Sequence, residues 1–214
     1  SEGRKATFFK NLQKEKIAKE KDDDSGGDYW VRSISAINNT FRENDNKFIA
    51  DKIVDILNDY TPTLDNGTKV KYDRNLQILH NYEDFNFRSI TPSEDITILS
   101  KVRKSGVIDV KGLSLKVETH HIYTWNIDDK DFVGAILFAV QKDGYKPNEL
   151  GIFTEAINTF LQYNYADKYI VSPSFVKVID VMTNEIIDYQ MILDKKIPSL
   201  IMSSIEDFKS FNKI

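Results

Sequence analysis

Residues Asp131 to Tyr165, DFVGAILFAVQKDGYKPNELGIFTEAINTFLQYNY, limit the fold of this chain more than any other stretch. Val133, Ala135, Leu137 and Ala139 alternate with Phe132, Ile136, Phe138 and Val140, so both faces of the extended segment are apolar. Such a strand is stable only when covered on both sides, which predicts a central place in a sheet. Asp143 to Lys146 interrupt the run, and Pro147 then supplies the fixed φ and missing N–H that suit the first turn of a helix. Glu149 lies near the positive end of that helix's dipole. Leu150, Phe153, Ile157, Phe160 and Leu161 recur at three- and four-residue steps, predicting a helix over 147–164 that packs an apolar stripe on the sheet. Glu155, Asn158 and Gln162 are expected to fall mostly off that stripe.

Helical spacing dominates the part of the chain before this stretch. Residues 4 to 21 carry Phe8, Phe9, Leu12 and Ile17 among many charges, and Asp22 to Gly27 read as a solvated linker. Residues 1–27 are therefore expected to form a charged arm and linker. Asp28 is the expected cap of a helix bearing Trp30, Ile34, Ile37 and Phe41. After Asn44-Asp45-Asn46, a second helix carries Ile49, Ile53, Ile56, Leu57 and Tyr60 on one side, and the two should pack as a hairpin. Thr61-Pro62 and Asp65-Asn66-Gly67 read as a loop, and Tyr72, Leu76 and Leu79 mark a third helix ending near Tyr82.

Strand spacing begins near Ile96. It strengthens over Gly106 to Lys111, turns at Gly112 and continues over Leu113, Leu115 and Val117. Ile122, Tyr123 and Trp125 extend it, with a slip near His120 that predicts a bulge. Phe175 to Met182 and Ile186 to Ile192 read as a hairpin joined at Thr183-Asn184-Glu185. A terminal helix bearing Ile205, Phe208 and Phe211 is expected to be capped by Ser203 or Ser204. The expected fold is thus α+β: a helical section over 28–90, then a mixed β-sheet with a packed helix over 91–214, the two able to share one core.

Composition narrows the function classes. The 214 residues are 41% hydrophobic, enough for a sizeable core, and no run approaches membrane-spanning length. The net charge of -4, from 29 basic and 33 acidic residues, does not favour nucleic acid as a partner unless the basic residues gather locally. Without cysteine, the chain has no disulfide, thiolate metal site or Cys nucleophile, which suits a reducing cytoplasm. The charged N-terminus has no apolar signal-peptide core, so a cytoplasmic location is expected. Phosphate-binding glycine loops, nucleophile elbows, paired-histidine zinc helices and dinucleotide fingerprints are all missing from the sequence.

Few chemical candidates are left. His120-His121 suggests a metal, but neighbours on a regular strand point to opposite faces. Asp109-Val110-Lys111 would put a carboxylate and an ammonium on one strand face, and Asp95 would add an upstream carboxylate for Mg²⁺. Asp180, inside an otherwise apolar strand, is a second candidate acid, its plainer reading being an edge position or a hydrogen-bonded buried carboxylate. His80 reads as an ordinary surface or packing residue.

Leu115 to Tyr163, in which Val133-Gly134-Ala135-Ile136-Leu137-Phe138 leads through Lys142 into the helix, resembles a strand-turn-strand-helix unit of prokaryotic proteins linked to defence or mobile elements. The order helix, three strands, helix, strand also resembles the core of the PD-(D/E)XK nucleases, which gather acidic residues and a lysine around Mg²⁺. That family carries its acid-x-lysine motif on the central strand, whereas Ala135-Ile136-Leu137 and Val140-Gln141-Lys142 lack the acid; Asp109-Val110-Lys111 has the chemistry one strand too early. The resemblance therefore implies a degenerate core and a non-catalytic accessory or protein-interaction component of a defence or mobile-element system, with no cofactor. Its partner would be a protein, met through Trp30, Phe41 or the N-terminal arm. The competing expectation is a Mg²⁺-dependent nuclease with Asp95 and Asp109 on the ion and Lys111 beside the attacking water.

Overall fold

The computed structural model describes residues 29–99 and 106–212. Helices α1 (Val31–Glu43), α2 (Lys47–Asp59) and α3 (Asn66–Tyr82) come first, followed by a 3-10 turn at Phe87–Ile90. Then come β1 (Thr97–Ile98), β2 (Val107–Val110), β3 (Leu113–Lys116), β4 (His121–Ile127), β5 (Lys130–Ala139), α4 (Pro147–Tyr165), β6 (Ile170–Asp180), β7 (Ile186–Asp188), α5 (Tyr189–Leu193) and α6 (Ile201–Asn212). The fold is α+β, with the helical section ahead of a mixed sheet and its packed helix.

Strand β5 is the middle of a five-stranded sheet of order β1-β4-β5-β6-β7. It runs antiparallel to β4 and parallel to β6, with α4 as the crossover between the parallel pair. Its two apolar faces serve two clusters. Ile136 and Phe138 join Tyr123, Trp125, Ile179 and the helices, where Ile37, Phe41, Ile49, Ile56, Ile78 and Leu79 are buried. Val133, Ala135 and Ala139 face the other way, onto Leu150, Ile157, Phe160 and Leu161 of α4. One sheet thus separates two half-cores, and the helical section is built into the first of them.

Several boundaries depart from the sequence expectations for local reasons. Asp65-Asn66-Gly67 is no loop: Asp65 caps α3, its carboxylate accepting from Thr68 N–H at 2.9 Å and Thr68 Oγ1 at 2.6 Å. Leu57 is 53% exposed, because Ile49, Ile53 and Ile56 already form the buried stripe and Leu57 lies one residue around from it. Tyr189 and Ile192 are helical, since Asp188 ends β7 and its Oδ1 accepts from Met191 N–H at 2.9 Å to start α5. Glu155 and Asn158 are buried on α4.

Two helix starts are capped from a distance. Neither α1, preceded by Trp30, nor its first turn has a local side-chain cap. Asn75 of α3 does that work: its Oδ1 accepts from Ser33 N–H at 3.0 Å and Ser33 Oγ at 2.9 Å, while its Nδ2 holds Tyr29 O at 2.8 Å. The expected cap Asp28 and the arm and linker 1–27 lie outside the described residues. At α6, Ser203 and Ser204 lie inside the helix, and Glu155 of α4 accepts from Leu200 and Ile201 N–H at 2.8 and 2.9 Å.

Candidate functional site

The structure places the acid-x-lysine sequence in a hairpin of its own. Strands β2 and β3 form a separate two-stranded sheet, with Asp109 opposite Ser114 and the tight turn at Lys111-Gly112. Both turn residues have positive φ, 51° and 77°, the left-handed pair that a two-residue hairpin requires. Gly112 is therefore the turn the sequence suggested. Lys111, by contrast, leaves the strand face on which it was expected to stand beside Asp109. Asp109 Oδ1 accepts from Gly112 N–H at 2.9 Å, closing the turn, and Lys111 Nζ reaches Glu206 of α6 at 2.9 Å. Asp95 is exposed and precedes β1, which belongs to the five-stranded sheet. The three residues are thus spread over a hairpin strand, its turn and the approach to a different sheet. Among the described residues no group of three or more His, Asp or Glu is arranged to hold a metal ion.

Among the described residues the buried carboxylates are Asp180 and Glu155, and both hold backbone. Asp180 is fully buried at the end of β6, where Oδ1 accepts from Met182 N–H at 2.8 Å and Oδ2 from Tyr145 N–H. It thereby ties the segment between β5 and α4 to the turn after β6. Glu155 is spent on the start of α6, as described above, with Ser199 Oγ as a third donor. Each carboxylate accepts bonds from groups that would otherwise be buried without partners, which is the hydrogen-bonded reading of Asp180.

Trp30 and Phe41 also belong mainly to the interior. Phe41 is 4% exposed and stacks on His121 with ring centroids 4.9 Å apart, so it is a core residue. Trp30 is half-buried against the same cluster, edge-on to Tyr29. The exposed large apolar residues described on the helical section are Val31, Val54, Leu57 and Val70, of which Val54 and Leu57 stand one turn apart on α2. His80 is exposed on α3 and meets Glu83 at 2.9 Å.

His120 and His121 stand in different surroundings, and a cleft opens beside the first. They take opposite sides of the sheet, as strand geometry requires. On the helical side, burial chiefly, with His120 and Arg42 adding to it, pushes His121 down to about 4, and its Nε2 is buried without a hydrogen-bond partner. On the other side, His120 sits just before β4 begins. Its N–H donates to Ile136 O at 3.0 Å, and its Nδ1 accepts from Phe138 N–H at 3.0 Å, where the β4 ladder has already ended. The imidazole replaces the missing strand partner; β4 and β5 stay in regular register from His121 on, so the slip expected to be a bulge is instead the start of the strand.

Beside His120 opens a cleft of about 540 Å³, walled by Val117, Ile122, Leu137 and Phe160. A recess of about 260 Å³ continues it over Phe153, Ala156 and Ile157 of α4. Lys116 and Glu118, joined as an ion pair, stand at both. Burial lowers the His120 pKa against the raising effect of Glu118, so the ring is neutral at pH 7. Sequence reasoning noticed this histidine as a metal candidate and missed its cleft; the signal was a polar residue at a pattern slip between apolar strands.

Compared with family models, curated proteins and solved structures, the chain has no match. Among the described residues no helix is long and apolar enough to cross a membrane.

Proposed function

We propose that this chain is a non-catalytic accessory or protein-interaction component, of the prokaryotic defence or mobile-element kind its strand-turn-strand-helix unit resembles, acting in the cytoplasm on a protein partner. The observation that carries this reading is that the acids and the lysine a nuclease would use do not converge: Asp95 stands exposed ahead of β1, Asp109 lies on a hairpin strand and Lys111 in its turn. Asp109 closes the hairpin turn, Lys111 pairs with Glu206, and Asp180 secures Tyr145 and Met182. A carboxylate that must leave such bonds to coordinate a metal loses fold stability in doing so. The reading calls for no Mg²⁺ or other cofactor. Val54 and Leu57 on α2 are the apolar surface where a search for partner contacts begins.

The test is to incubate purified protein and its Asp109→Ala variant with DNA and RNA, in Mg²⁺, in Mn²⁺ and in chelator. No cleavage in any condition is the expected result. Metal-dependent cleavage abolished by Asp109→Ala would overturn the reading in favour of the nuclease.

A further inference from the structure

The Phe138 N–H bond fixes which nitrogen of His120 carries the proton. A neutral imidazole has one donor and one acceptor nitrogen. Nδ1 accepts from Phe138 at 3.0 Å, so the proton resides on Nε2, on the far side of the ring. Nε2 makes no hydrogen bond to any described residue, and the ring lines the cleft. His120 thus brings to the cleft, beside the Thr119 hydroxyl and the rim Lys116, an imidazole donor held in place because its other nitrogen is tied to the central strand.

The rest of the lining sets what that donor can receive. Val117 and Phe160 are buried members of the second half-core and Leu137 packs against it, so this side of the cleft is preformed and apolar, while Thr119 and His120 supply its polar side. The volume of about 540 Å³ suits a small organic molecule. Lys116 and Glu118 neutralise each other at the rim. An ionic ligand would lose hydration there without meeting an unbalanced counter-charge, whereas a neutral acceptor loses little.

We propose that this cleft binds a small uncharged apolar molecule through one carbonyl oxygen, which accepts the hydrogen bond of His120 Nε2–H. Recognition then has two parts. The apolar body displaces water from the walls between the β2–β3 hairpin and α4, and the carbonyl is selected by the donor. A hydrocarbon of the same shape gains only the first part, and a carboxylate forfeits solvation. The proposal is independent of the partner-binding reading above, which concerns α2 on the other side of the sheet.

Acetophenone, its hydrocarbon isostere α-methylstyrene and benzoate are the probes. The full chain, labelled with ¹⁵N, is titrated with each at pH 7.5 while the Phe138 amide and the His120 ring nitrogens are followed. Acetophenone is expected to saturate, to move both signals, and to bind about fivefold or more tightly than either comparator, the worth of one ordinary hydrogen bond. His120→Asn offers Phe138 N–H an acceptor in the place of Nδ1 but has no donor at the place of Nε2. It should fold normally and lose the preference for the ketone. Equal affinities, shifts confined to another surface, no saturable binding, or a ketone preference that survives in His120→Asn would each overturn the proposal. So would a long-range ¹H–¹⁵N correlation of the wild-type ring showing the proton on Nδ1, a measurement that does not depend on any variant folding.

Discussion

The backbone N–H of Ile201 donates to the carboxylate of Glu155 at 2.9 Å, across 46 positions of the chain. This bond and its neighbour from Leu200 make a buried side chain of α4 the cap of α6. Replacing Glu155 by Ala leaves the Leu200 and Ile201 donors without their acceptor, and the expected loss is about 2 to 4 kcal/mol of unfolding free energy. Glu155→Gln keeps an acceptor oxygen and should lose about half as much. Urea unfolding of the two variants checks the order; equal stability of Ala and wild type would show that water serves these N–H groups as well.

Acid should weaken the fold through His121. Burial holds its pKa at about 4 when folded, against an unfolded value of 6.5. The unfolded chain therefore binds more protons between those values, and stability is fully present above about pH 6.5 and lost as pH falls toward 4. Each pKa unit is worth about 1.4 kcal/mol, and partial exposure of the ring reduces the total to about 1 to 2 kcal/mol. His120, lowered in the same direction, adds to the trend. His121→Phe, whose ring keeps the stack on Phe41, should flatten the profile measured by chemical denaturation at pH 5 and pH 7.5. An unchanged slope in that variant would locate the pH dependence elsewhere.

Gly134 should tolerate no side chain. A Cβ there would lie 2.5 Å from Phe175 O and 3.1 Å from the Tyr123 ring, at the place where the β5–β6 register shifts. Tyr123 Oη also donates to Phe175 O at 3.1 Å, so moving Phe175 outward strains a partly buried bond. Gly134→Ala is expected to cost more than about 2 kcal/mol, by thermal or urea unfolding, well beyond an ordinary surface exchange.

The parts of this fold that were legible in the sequence are those written in short-range spacing. The alternation from Phe132 to Val140 placed β5 at the centre and assigned its two faces, and Pro147 with the Leu150–Leu161 stripe placed α4. What escaped were relationships set by distant residues. Asn75 starts α1 across 42 positions, and Glu155 starts α6, so the nearby polar residues Ser203 and Ser204 were mistaken for its caps. Lys111 was misplaced because an acid-x-basic triplet reads as strand until Gly112 is seen to share a two-residue turn with it. The His120 cleft needed three elements, the hairpin end, β5 and α4, to meet before it existed at all.

The two half-cores on either side of β5 bear on how this chain can be divided. The change from helical to strand spacing near Ile96 is the obvious place to cut a gene for expression. A piece beginning there would hold all five strands of the main sheet and α4, yet it would present Tyr123, Trp125, Ile136, Phe138 and Ile179 to water as one continuous apolar face. Such a fragment should precipitate or pair with itself. The helices from Tyr29 to Ile90 are therefore an inseparable inheritance of the sheet: a recombination event that moves one without the other delivers neither.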